Sequence, residues 1–234
     1  MAKEKDIFTL IKEDNLQAVK EMVKKDPELV NAMAPKKPAD TKGMSPLQVS
    51  LCAGWHRDIA DFLLDNGADV NYMESDQWKS SQANPVLHDA VSVAIMNSRR
   101  FGCENMEDAT NENMILRHNK EDADRAYKLL ERMIKMGADV NAVDRDNINA
   151  LGHAVSQAQF CCPVTNLQTG KFYTEPHIIP EMIEDFQRIF RLLINSGAKS
   201  DTKSNYSHKT TKELFEKHAV WGIVEPVLKE FEKN

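Results

Sequence analysis

No run of apolar residues in this chain approaches the roughly 20 needed to cross a bilayer, so the sequence offers no membrane-spanning helix. The first residues, Met1-Ala2-Lys3-Glu4-Lys5-Asp6, have no apolar stretch behind them of the kind a secretory leader carries. An excess of positive charge is also missing. Thirty basic residues stand against 36 acidic ones, a net charge of −6, whereas a general nucleic-acid binder needs a basic face to neutralise phosphates. Cys52, Cys103, Cys161 and Cys162 contain no C-x-x-C pair, so zinc-type spacing is missing. Adjacent Cys161 and Cys162 make a poor disulfide pair, and reduced thiols in a cytoplasmic protein are the simplest expectation. Catalytic signatures are absent as well: the chain has no G-x-S-x-G, H-E-x-x-H, G-x-G-x-x-G or P-loop sequence. These absences lead to the expectation of a non-enzymatic, monomeric protein without cofactor or metal, in contact with neither nucleic acid nor membrane.

What is present is repetition. Gly67-Ala68-Asp69-Val70-Asn71 returns unchanged as Gly137-Ala138-Asp139-Val140-Asn141, and in altered form as Gly197-Ala198-Lys199-Ser200-Asp201. Each copy follows a run that ends in two apolar residues, Leu63-Leu64, Met133-Ile134 and Leu193-Ile194. A glycine just past such a run stops a helix, because it takes the left-handed conformation without a steric penalty. Ahead of the first copy, Ser45-Pro46 places a capping hydroxyl before a proline at the first helical turn. Asp14-Asn15 can likewise end one helix and cap the next, between apolar faces built on Ile7, Phe8, Leu10 and Ile11 and on Leu16, Val19, Met22 and Val23. Asp26-Pro27-Glu28-Leu29-Val30-Asn31 stands where a first pentad would stand.

Gly43, Ser45, Pro46, Leu47, Gly54, Ile59, Leu63, Leu64 and Gly67 through Asn71 resemble the ankyrin repeat family, whose unit is roughly 33 residues long. Asn84-Pro85-Val86-Leu87-His88-Asp89-Ala90 is similar to the opening of another unit. The resemblance implies an all-α solenoid of antiparallel helix pairs with projecting turns, or fingers. Gly67 to Gly137 spans 70 residues and Gly137 to Gly197 spans 60, so two units carry long insertions. The expected single domain divides into units at 4–31, 40–71, 80–141 with an insertion at 101–121, 144–201 with an insertion at 157–180, and a terminal cap at 202–234. Both insertions join the first helix of a unit to its second, so they should emerge side by side on one edge.

The resemblance also implies a binding function. A stacked array offers a long concave face made from fingers and first helices, suited to an unidentified protein partner. Matching this family's variable positions selects Lys42, Met44, Gln82, Asn84, Arg145, Asp146, Ile148 and Gln157, and Trp78 is the aromatic residue of a finger. Phe160, Phe172 and Tyr173 are candidate contacts on the inserted stretches. The family's opening-motif histidine falls on His88, whose ring is expected to hydrogen-bond neighbouring turns. An alternative places an enzymatic, small-ligand or metal site around His153, Cys161 and Cys162; thiolate chemistry there would need a depressed cysteine pKa.

Overall fold

The computed structural model describes residues 5–52, 54–75, 83–103, 114–162 and 178–232. Helices come in antiparallel pairs. α1 (Ile7–Lys12) pairs with α2 (Leu16–Lys25), which a 3-10 turn at Pro27–Asn31 follows. α3 (Pro46–Cys52) pairs with α4 (Arg57–Asp65), and α5 (Val86–Met96) with α6 (Lys120–Lys135). α7 (Ala150–Phe160) pairs with α8 (Pro180–Asn195), and the short α9 (Thr211–Phe215) is followed by α10 (Trp221–Phe231). First helices pack on first helices along one layer, α1 on α3, α3 on α5, α5 on α7 and α7 on α9. The second layer stacks α2 on α4 and α6 on α8, and closes with α10 on α8. Among the described residues no helix is long and apolar enough to cross a membrane.

Side-chain caps set the helix starts. Asn15 accepts the Ala18 amide and Asn149 the Gly152 amide, while Asn119 with Asp122 and Thr210 with Glu213 form capping boxes. Ser45 accepts the Gln48 amide at 3.1 Å, and the Gln48 side chain returns a bond from the Ser45 amide at 3.2 Å. Asp14, at φ +53°, breaks the chain between α1 and α2. Between the layers lie Leu63, Leu87, Leu130, Leu151, Phe186 and Phe190, all with under 2% of their surface exposed. Burying a side chain of this size contributes about 1.5–3 kcal/mol. Trp221 joins this core from α10.

The pentad glycines sit at φ +85°, +95° and +89°. Each lets the following alanine amide reach back to the last turn of its helix: Ala68 to Leu63, Ala138 to Met133 and Ala198 to Leu193, at 3.0–3.1 Å. The closing asparagine ties one unit to the next. Asn71 donates to the Gly137 carbonyl at 3.0 Å and accepts the Asp139 amide at 2.8 Å. Asn141 does the same for Gly197 and Lys199, both at 2.9 Å. Asn31 brackets Gly67 and Asp69 in the same way.

Three expectations are refined. The all-α architecture carries a small sheet, β1 (Arg100–Cys103) antiparallel to β2 (Met114–Arg117), with Phe101 opposite Leu116. The first inserted stretch ends before Lys120, where the Asn119 capping box starts α6. The second begins later than residue 157, because α7 runs through Phe160. The inserted stretches leave the array side by side. Met96, at the end of α5, meets Cys161, just after α7, with sulfur atoms 3.7 Å apart. Beside them Arg99 donates through its amide and Nε to Asp185 Oδ2, both at 2.9 Å, and through Nη2 to Glu184. Asp185, fully buried on α8, also pairs with Arg188 at 3.0 Å.

Candidate interaction surface

Three successive fingers converge on Glu74. Lys42 comes from the finger before α3, Glu74 from the one before α5 and Arg145 from the one before α7. Glu74 is 8% exposed and accepts the Asn84 amide at 3.4 Å. Burial pushes its carboxyl above the ordinary range, and Lys42 and Arg145 pull it back in part. The Arg145 finger is rigid from within, since Asp144 Oδ1 accepts the Asp146 and Ile148 amides at 2.9 Å. It is held from outside by Asn205, whose amide donates to the Asp146 carbonyl at 2.8 Å and whose side chain donates to the Arg145 carbonyl at 3.0 Å. The Arg145 and Asp146 side chains stay exposed.

The other expected contact residues are placed less uniformly. Lys42, Asn84, Ile148 and Gln157 are half-buried. Met44 is half-buried too, but it packs on the core. Phe160, expected on an inserted loop, is instead the last residue of α7 and is 70% exposed. Trp78, Gln82, Phe172 and Tyr173 lie outside the described residues.

Beneath the fingers is a polar network that sequence reasoning did not assemble. Gln48, with no exposed surface, donates Nε2 to Asp89 Oδ2 at 3.0 Å and to the Asn84 carbonyl at 3.3 Å. The Cys52 thiol donates to Asp89 Oδ1 at 3.2 Å. Asp89 keeps some exposed surface, but its carboxylate is enclosed by these donors, and burial pushes its pKa up to about 6. Burial and the adjacent Asp89 carboxylate likewise raise the Cys52 thiol, although the residue as a whole is exposed. The available signal was polar residues in otherwise apolar stretches, Gln48 within Pro46–Leu51 and Asp89 within Val86–Ala90. A second missed residue is Tyr206, 90% exposed on the last finger.

The histidines depart from expectation. His88 is buried, and neither ring nitrogen has a partner in hydrogen-bonding geometry among the described residues, although the Ala142 backbone lies close enough to act on the ring. Its ring stacks on His153 instead, with centroids 4.6 Å apart and planes 14° apart. His153 Nε2 lies 2.8 Å from Ser92 Oγ. Burial holds His88 down to about 3, with His153 adding repulsion, and holds His153 down to about 4. His153 retains some exposed surface, but its ring is covered by His88 on one face and by Ser92 at the edge. Among the described residues the polar partner of its ring is Ser92, with no bond to Cys161 or Cys162. Burial raises both thiols, Cys162 to about 12, which is opposite to what thiolate chemistry needs. No group of metal-ligating side chains occurs among the described residues.

Residues 42–75, from Lys42 through the first pentad to Ser75, match the family model of the ankyrin repeat. No curated protein matches the chain.

Proposed function

Because the chain is an ankyrin-repeat protein, a fold whose units serve generally as protein-interaction modules, we propose that it binds another protein through its concave face and finger tips. The observation that carries this reading is the convergence of Lys42, Glu74 and Arg145, from three different fingers, on one patch. A surface assembled from separate units recognises shape and charge together, and rigid fingers lose little entropy on binding. Tyr206, exposed on the neighbouring finger, is the type of side chain that anchors interfaces. The inserted edge, with Phe160, is a second contact region in this reading.

The test is affinity capture followed by quantitative binding. Lys42→Glu, Arg145→Glu and Tyr206→Ala should each weaken the captured complex by about tenfold or more, with unchanged thermal midpoints. Arg191→Glu on the opposite layer, which breaks its bonds to Glu230 and Gln187, should leave capture intact. Equal loss, or none, in all four variants would refute the concave-face assignment.

A further inference from the structure

The last two fingers are laced into one body. Besides the two bonds from Asn205 to the Arg145 finger, Asn147 donates Nδ2 to the Lys203 carbonyl and Asn149 donates Nδ2 to the Lys199 carbonyl, both at 2.8 Å. The final finger also closes on itself. Lys203 and Thr210 form an antiparallel bridge. The Ser204 amide donates to the Lys209 carbonyl at 3.0 Å, and the His208 amide to the Ser204 carbonyl at 2.8 Å. The Ser204 hydroxyl accepts the Tyr206 amide at 3.1 Å. His208 completes the turn at φ +56°, a left-handed conformation that costs a non-glycine residue energy. A backbone held this firmly presents Tyr206 with 90% of its surface in solvent.

The charge of this finger is opposite to that of the whole chain. The chain carries −6, yet from Lys199 to Lys212 four lysines stand against one carboxylate, Asp201. Lys199, Lys203 and Lys209 are exposed. Glu213 feels both Lys203 and Lys209, but its carboxylate is engaged at the start of α9, where it accepts the Thr210 amide at 2.8 Å and the Thr210 hydroxyl at 3.1 Å. Residues 114–162 and 178–232 are described without a break, so both fingers and their flanking segments are described throughout. The stretch that joins α7 to α8 leaves from the far end of α7, eleven residues and so about 16 Å along the helix from the fingers.

We propose that these two fingers receive an acidic peptide segment of the protein partner. Lys203, Lys209 and Arg145 face its carboxylates, and Tyr206 packs on the methylene groups of its side chains. A local surplus of lysine steers an anionic segment to this one region of an otherwise acidic molecule and sets its register. Little order remains to be gained on binding, because the lacing is already made. A peptide suits the surface better than a nucleic acid, since a single aromatic ring offers no run of stacking platforms and the net charge repels a polyphosphate. The inference rests on the concave-face reading and names the chemistry that its last fingers accept.

Amide chemical-shift titration of the intact chain tests this with three probes: a hexaglutamate peptide, the matching hexaglutamine peptide and a short oligothymidine. Hexaglutamate should give saturable shifts at Lys203, Asn205, Tyr206 and Lys209 that fade in about 0.5 M sodium chloride, and hexaglutamine none. Joint Lys203→Glu and Lys209→Glu should weaken the response by about tenfold or more, and Tyr206→Ala by a smaller factor. Lys24→Glu, on α2, should leave it unchanged. All four side chains are exposed, so each variant should keep the parent's amide spectrum outside the substituted site. Equal response to the two peptides, oligothymidine binding as tightly at the same amides, response elsewhere, or no response overturns the proposal. Partner capture that is still lost on Arg145→Glu and Tyr206→Ala, in a chain that does not respond to hexaglutamate, overturns this inference alone.

Discussion

The junction that ends the third helix pair and the junction that ends the fourth share a backbone and differ in packing. Gly137 and Gly197 take the same left-handed conformation, and Asn71 and Asn141 bracket the two turns at nearly identical distances. Yet Val140 is 4% exposed, while Ser200, at the same place in the altered pentad, is exposed. A cavity of about 430 Å³ opens beside Ser200, walled by Leu151, Val155, Trp221 and Leu228. The comparison separates two jobs of the pentad. The bracket reads only main-chain groups, so Asp139→Lys199 and Val140→Ser200 differences leave it untouched. Filling the space between units needs the valine side chain, and where that is lost the array is loosely closed by the short α9.

The contrast can be broken or sharpened by measurement. The largest effect should come from Phe190→Ala, inside the array, with a loss of about 4 kcal/mol in urea unfolding. Leu228→Ala, half-buried beside the terminal cavity, should lose only about 1–2 kcal/mol because part of the cavity is already there. Comparable losses would mean that the end is packed as well as the interior.

Acidification comes next. His88 and His153 are held neutral in the folded chain, at about 3 and 4 against an ordinary 6.5. The unfolded chain therefore binds more protons below pH 6.5, and stability should fall from about pH 6.5 to pH 4, by roughly 3 kcal/mol per ring. Asp89, raised to about 6 from 3.8, works in the opposite sense over the same window and offsets part of the loss. Denaturation midpoints at pH 7 and pH 4.5 should thus differ less in His153→Gln than in the parent, and more in Asp89→Asn. An unchanged pH profile in His153→Gln would remove the buried pair as the cause.

The brackets should matter less. Asn71→Ala removes one donor and one acceptor bond from an exposed turn, and Asn141→Ala removes the same two and a long 3.5 Å bond accepted from Asn149, each for a loss of about 1–2 kcal/mol. Equal losses at the two sites would show that the bracket ignores pentad side chains; a smaller loss at Asn141 would mean the altered pentad has weakened it. The smallest effect is a gain. Ser200→Val restores the side chain found at positions 70 and 140 and should add under about 1 kcal/mol, seen as a slightly raised thermal midpoint.

Much of this scaffold was legible in the sequence because it is written in local chemistry. Glycine stops, Asn and Ser caps and apolar pairs before each pentad act within one or two turns, so their spacing exposed the helix pairs and the long insertions. The short sheet at Arg100–Cys103 and Met114–Arg117 was not visible, since four-residue strands are too short to carry a periodic signal. The candidate surface was legible in part. Lys42 and Arg145 were expected, but Glu74 between them was not, because three fingers meet only when units stack. Phe160 was misassigned to an inserted loop because a helix end marked by no glycine or proline is hard to read.

By itself, then, the sequence determined the repeating unit: helices that end at glycine, their turns, and which side chains face inward. Those follow from short-range sterics and hydrogen bonds that each unit repeats. Only the tertiary structure decided the stacking of His88 on His153 and the Gln48–Asp89–Cys52 network. Such features join residues up to 65 positions apart, as from His88 to His153, and whether a buried polar group finds a partner depends on how neighbouring units pack rather than on its own segment.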